Sequence, residues 1–282
     1  MHIEFWGVRG SIASPGPETA GVGGNTSCVE VRCGETRLIL DAGTGIRRLG
    51  DQLLRGGAVD ATLLFSHLHW DHIQGLPFFV PAYLPSTRLQ IAGTGGGAAS
   101  LRDVLAAQMT APVFTVRIDE LGAELDLREV RSGETFHVGE ARVRALKLNH
   151  PGGCLAYRIE HEGRSLVYAT DTEHYACVDP ALRALCEGAD VLIYDSQYTP
   201  EEYRGEVGRS KVGWGHSTYV AGCELARASC VGQYVLFHHD PQRSDAGVTD
   251  LERRARELFA GSVAAREGMV IRLDAEARAE AA

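Results

Sequence analysis

Ala61-Thr62-Leu63-Leu64-Phe65-Ser66-His67-Leu68-His69-Trp70-Asp71-His72 is the stretch on which the reading of this chain turns. Its first half is a short apolar run, the pattern of a buried strand. Its second half holds three imidazoles and a carboxylate. Histidines on a solvated loop are scattered, and a cluster this dense needs a cation to hold it together. Imidazole with carboxylate suits zinc, manganese or iron. One short loop makes an incomplete site, and further candidates follow other apolar segments. They are His150 in Leu148-Asn149-His150-Pro151-Gly152-Gly153, Asp171 in Val167-Tyr168-Ala169-Thr170-Asp171-Thr172, and His238 and His239 after Tyr234-Val235-Leu236-Phe237. Loops at one sheet edge can converge on one point, so recurrence at strand ends joins these residues.

The rest of the chain supports a globular reading. It has 282 residues and a formal net charge of −9, with 44% hydrophobic and 23% charged residues, close to globular averages. No apolar run approaches the ~20 residues of a membrane span, and the N-terminus lacks a signal-peptide pattern. A cytoplasmic chain is expected. The seven cysteines include no Cys-x-x-Cys pair, so neither a disulfide framework nor a thiolate zinc knot is indicated. The negative charge argues against a general nucleic-acid coat but admits a small anion in a local cationic pocket.

Strands are expected at 2–6, 26–32, 36–40, 61–66, 125–128, 141–148, 155–160, 165–169, 191–194, 234–237 and 269–273. Helices are expected at 44–54, 98–109, 180–186, 218–229 and 249–259. Two sheets with helices outside them account for this mixture better than one parallel sheet. Residues 1–272 read as one domain, with 273–282 a frayed tail.

His67, His69, Asp71 and His72 reproduce the His-x-His-x-Asp-His motif, and with the strand-end residues the chain resembles the metallo-β-lactamase superfamily. The resemblance runs from the first strand to about residue 272. It implies an α/β fold, a four-layer αββα sandwich, and a hydrolytic centre of two divalent ions, zinc first and manganese also suited. By that likeness His67, His69 and His150 hold one ion, Asp71, His72 and His238 the other, and Asp171 bridges. Asp41, in Leu40-Asp41-Ala42-Gly43, orients the His loop without binding metal. Aligning the proline of His238-His239-Asp240-Pro241 with the tRNase Z motif places the ligand at His238, and strand alternation turns His239 away. Paired ions can share a hydroxide and clamp the attacking and leaving oxygens, so no serine or cysteine nucleophile is required.

Phe5-Trp6-Gly7-Val8-Arg9-Gly10-Ser11, Gly24-Asn25-Thr26-Ser27 and Gly215-His216-Ser217-Thr218 are similar to segments of tRNase Z and its relatives. Asp195, in Leu192-Ile193-Tyr194-Asp195-Ser196, stands where those proteins carry a Glu. The resemblance therefore points to a phosphodiesterase with catalytic residues Asp71, His216 and Asp195, His216 giving a proton to the leaving oxygen. Arg9, Asn25, Ser217 and Thr218 are candidate substrate contacts. Glu173 and His174 are candidates to support or line the site.

His150 and Asp171 are too close in sequence to enclose the RNA-gripping arm of tRNase Z, so a small phosphodiester such as a cyclic nucleotide is expected, with no membrane and no long nucleic acid as partner. A homodimer is implied by the resemblance alone. The alternatives are a lactonase or glyoxalase-type thioesterase, a tRNase Z-like endonuclease, a di-iron oxygen-reducing protein and a non-catalytic ligand sensor.

Overall fold

The computed structural model describes residues 1–274. The first sheet is built from β1 (His2–Gly7), β2 (Cys28–Cys33), β3 (Thr36–Leu40), β4 (Asp60–Leu64), β5 (Arg88–Gly93) and β6 (Glu124–Glu129). The second takes β7 (Thr135–Val138), β8 (Ala141–Leu148), β9 (Cys154–His161), β10 (Arg164–Ala169), β11 (Val191–Asp195), β12 (Gln233–Phe237) and β13 (Ser262–Ala264). The last strand, β14 (Val270–Arg272), returns to pair with β1. The orders are β14-β1-β2-β3-β4-β5-β6 and β13-β12-β11-β10-β9-β8-β7.

The two sheets repeat one pairing pattern. From β14 to β3, and from β7 to β10, neighbours run antiparallel. From β3 to β6, and from β10 to β13, they run parallel. Parallel strands bring their C-terminal ends to one edge, and ligands gather at such edges in open α/β sheets.

The helices are α1 (Ile46–Leu53), α2 (Trp70–Ile73), α3 (Leu101–Gln108), α4 (Pro180–Cys186), α5 (Pro200–Arg204), α6 (Tyr219–Ala228) and α7 (Asp245–Leu258). The inner faces of the sheets share one apolar core, including Ile3, Phe5, Val29, Val143, Leu166 and Phe237. A second cluster lies on the outer face of the first sheet, where Ile46, Leu49 and Leu53 of α1 and Leu101 and Leu105 of α3 meet Ile39, Leu63 and Ile91. Leu182, Leu225, Leu251 and Ala255 bring α4, α6 and α7 into the core from the other side. The layers are thus α, β, β, α, as expected. No helix among the described residues is long and apolar enough to cross a membrane.

The structure adds elements that the sequence reading passed over. β5, β7 and β13 are strands, and α2 and α5 are short helices. At the start of the expected tail, residues 273 and 274 make hydrogen bonds. Leu273 exchanges backbone hydrogen bonds with Met1, and Arg164 donates to the Asp274 carbonyl; residues 275–282 of the expected tail lie outside the described residues.

Candidate metal centre

Three of the expected site residues sit where strands end in left-handed backbone. Asp41 closes β3 at φ 61°, Asp171 follows β10 at φ 52°, and His238 follows β12 at φ 59°. Non-glycine residues rarely adopt this conformation, and its recurrence at a functional edge is typical of strain held by the surrounding fold. The His67–His72 loop follows β4 and runs into α2, and His150 follows β8.

The side chains converge in two groups. His67, His69 and His150 offer ring nitrogens within 4.8 Å of one another, and so do ligand atoms of Asp71, His72, Asp171 and His238. Asp171 faces both: Oδ2 is 3.6 Å from His67 Nε2 and 3.9 Å from His150 Nε2, while Oδ1 is 3.3 Å from both His72 Nε2 and His238 Nε2. Asp71 Oδ2 lies 3.3 Å from His72 Nε2 and 3.2 Å from His238 Nε2.

The outer nitrogens explain why inner ones are free to ligate. His72 Nδ1 donates to Asp41 (2.8 Å), His150 Nδ1 to the Gly215 carbonyl (2.7 Å) and His238 Nδ1 to Gln197 Oε1 (3.0 Å). The Ser66 hydroxyl donates to Asp41, so it accepts from His67 Nδ1 at 3.1 Å. Each of these rings therefore turns an Nε2 lone pair inward, as ligating histidines do. His67 Nε2 and His72 Nε2 are buried with no hydrogen-bond partner. His150 Nε2 faces His69 Nδ1 across 3.0 Å. Lone pairs facing lone pairs and carboxylates leave room for cations and call for them, so the donor set fits divalent metal ions of the kind the fold implies.

Electrostatics agree. Burial penalises charge at Asp71 and Asp171, yet neighbouring histidines hold both carboxyls far below their usual range. Burial also opposes a charged His72, but Asp171, Asp71 and Asp41 outweigh it and push the imidazole well up. Asp41 is fully buried and accepts from Ser66 N, Ser66 Oγ, Tyr168 OH and His72, which anchors the His loop to both sheets.

His216 lies at the edge of this cluster. Its ring stacks on His238 at 4.9 Å and 20°, and its Nδ1 donates to the buried Asp195 at 2.8 Å. Burial alone would lower its pKa; Asp195, with Asp171 and Asp71 further off, raises it to about 9. Glu173 shapes the approach, accepting from Gly213 N (2.7 Å), Gly215 N (3.0 Å) and Tyr203 OH (2.6 Å). His239 turns away, donating to Ala265 O.

Four expected substrate contacts have other duties. Arg9 is fully buried, and its guanidinium donates to the carbonyls of Gly23, Asp240 and Arg243. The Asn25 amide donates to both oxygens of Glu267. Ser217 is buried against Tyr194 OH and His174 Nδ1, and Thr218 caps α6 through Ala221 N. Backbone carbonyls thus engage Arg9 Nε and Nη1, and a carboxylate engages the Asn25 amide.

Several contributors carried no sequence signal that was used. Gln197 orients His238, Ser66 orients His67, and Ser11 N donates to Asp71 Oδ2 at 2.8 Å. Gly10 and Gly215 could have been found as glycines beside site residues. A Cβ at Gly10 would lie 2.4 Å from the His238 ring, and one at Gly215 2.4 Å from His150 Nδ1.

Residues 36–239 match the family described as Beta-lactamase superfamily domain. A ribonuclease Z from Methanopyrus kandleri is 26% identical over 305 residues, covering 97% of this chain and 98% of that protein. The metallo-beta-lactamase fold protein YhfI from Bacillus subtilis superposes with a TM-score of 0.70 at 19% identity, over 96% of this chain and 99% of that one. A diphosphatase of the PhnP family does so at 0.71 and 18%, over 97% and 98%. With the family matched across most of its length and a donor set that fits metal ions, the chain is a metallo-hydrolase of the metallo-β-lactamase superfamily.

Proposed function

We propose that this chain is a phosphodiesterase acting on a small phosphodiester, such as a cyclic nucleotide, with two divalent ions held by His67, His69, His150, Asp71, His72, Asp171 and His238. The observation that carries the reading is the Asp195–His216 pair stacked against His238. Two bound ions would activate water and neutralise phosphoryl charge. A departing alkoxide still needs a proton, and His216, oriented by Asp195, which also raises its pKa, is placed to supply it. Zinc suits the histidine-rich set best, and manganese also fits.

The preference for a small substrate is supported by the segment between His150 and Asp171. It is filled by β9 and β10, joined by the two-residue turn Glu162-Gly163 with both φ positive, the tightest hairpin connection. An RNA endonuclease is the second reading, favoured by the full-length match to ribonuclease Z.

The test is a hydrolysis panel on zinc- and manganese-loaded protein. It includes 2′,3′- and 3′,5′-cyclic nucleotides, bis(p-nitrophenyl) phosphate, a pre-tRNA, a lactone and a thioester. Cyclic-nucleotide turnover is expected, abolished in His69→Ala together with metal content. In His216→Ala, kcat is expected to fall about 10²–10⁴-fold with metal retained. Selective cleavage of pre-tRNA would favour the endonuclease. Turnover of the lactone or thioester alone, indifferent to His216, would overturn both.

A further inference from the structure

A cleft that the chemistry above does not use opens at Tyr198, whose ring lies 6.1 Å from that of His216. It is lined by Tyr198, Glu202, Arg209, Lys211, Asp240 and Arg243 among others. Lys211 is one of only two lysines in the chain. Its ammonium lies 4.1 Å from the Trp214 ring centroid and 5.7 Å from that of Tyr198, and the Tyr198 ring is 6.1 Å from that of His216. Two aromatic faces therefore fix this cation, and one of them, Tyr198, also adjoins the His216 imidazole.

The loop that carries it is built rather than loose. Lys211 N donates to Tyr203 O, Trp214 N donates to Lys211 O, and Glu173 clamps Gly213 N and Gly215 N. The charges in the cleft are unequally committed. Arg243 donates to Glu202 Oε2 and the Gln197 carbonyl, and Asp240 accepts from Gln242 N. Among the described residues, neither Lys211 nor Arg209 forms an ion pair with a carboxylate, although acidic side chains outnumber basic ones in this chain. A compact, pre-positioned ammonium is a point-charge partner for phosphate, and unpaired cations lining a cleft focus a potential that attracts anions.

Direction follows from His216. The imidazole that would protonate the departing oxygen marks the leaving-group side, and Tyr198 is the ring that it and Lys211 both adjoin. We propose that Lys211, with Arg209, forms an anion subsite for the leaving group, so that the favoured substrate is a small phosphodiester whose departing part bears a second phosphate. This rests on the phosphodiesterase reading above.

The test is calorimetric binding to the zinc-loaded full chain. The probes are adenosine 3′,5′-bisphosphate and the two corresponding monophosphates, all of which offer a phosphate to the metals. The bisphosphate should bind about tenfold more tightly than either monophosphate, the fold-change expected of one charge-assisted contact. Lys211→Met combined with Arg209→Ala keeps an aliphatic stem on Trp214 and should erase that advantage. Lys211→Arg alone should preserve it. Equal binding of all three ligands by the wild type, or an advantage that survives the double substitution, overturns the proposal. Binding needs no turnover. A chain that hydrolyses no phosphodiester yet prefers the bisphosphate through Lys211 would overturn the reading of the reaction and leave the subsite standing.

Discussion

Gln197 shows how much of a metal site lies outside its ligands. Its amide oxygen fixes the ring of His238 through Nδ1, and such outer partners contribute about 10–100-fold to metal affinity. Gln197→Ala is therefore expected to weaken metal binding by roughly that factor while every ligand remains, as measured by competition with a chelating dye. Gly10→Ala should act on the same imidazole by contact, because the new methyl would meet its ring. Residue roles were legible in proportion to their chemistry and contiguity. His67–His72 announces itself because four donors adjoin in sequence. Ser66, Gln197 and Tyr168 are ordinary residues whose meaning comes from which atom they face, and that is decided by distant chain segments.

Among the elements, α6 separates capping from catalysis. Thr218 is a candidate substrate contact in the sequence, and its hydroxyl accepts from Ala221 N in the first turn of α6. Thr218→Ala is expected to cost about 0.5–2 kcal/mol of stability in denaturant titration and to leave KM unchanged. A raised KM would restore the original reading. The strands themselves were largely legible, since apolar runs such as Tyr234–Phe237 and Val191–Tyr194 have the length and branching of buried parallel strands. β7 and β13 escaped because they are short edge strands, placed by pairing with neighbours rather than by their own pattern. The matched pairing of the two sheets was invisible for the same reason: it is a property of hydrogen bonding. It sets Asp41 and Asp171 at equivalent strand ends, both with positive φ, although only Asp171 faces both donor groups.

For the whole molecule, pH bears on a residue that the site does not use. Burial lowers the His239 pKa to about 3, against the opposing hydrogen bond to Ala265 O. The unfolded chain takes up its proton near the ordinary value of ~6.5. The folded form thus binds fewer protons between these values, so this contribution is complete above about pH 6.5 and is lost as pH falls towards 3. His239→Gln retains a donor for Ala265 and does not titrate. In metal-free protein it is expected to move the acid-unfolding midpoint to lower pH, read by circular dichroism. An unchanged midpoint would show that His239 is not part of the acid response.

The division of the proposed ligands between the two sheets has a consequence in polymer terms. His67, His69, Asp71 and His72 come from the first sheet, and His150, Asp171 and His238 from the second. Bound ions would act as reversible cross-links between distant points of one chain, closing long loops whose entropy must be regained before the sheets part. Metal escape and separation of the sheets then become a single kinetic event. Under excess chelator, the rate of metal loss should follow the slowest-exchanging backbone amides of β3 and β10, and it should not scale with chelator concentration.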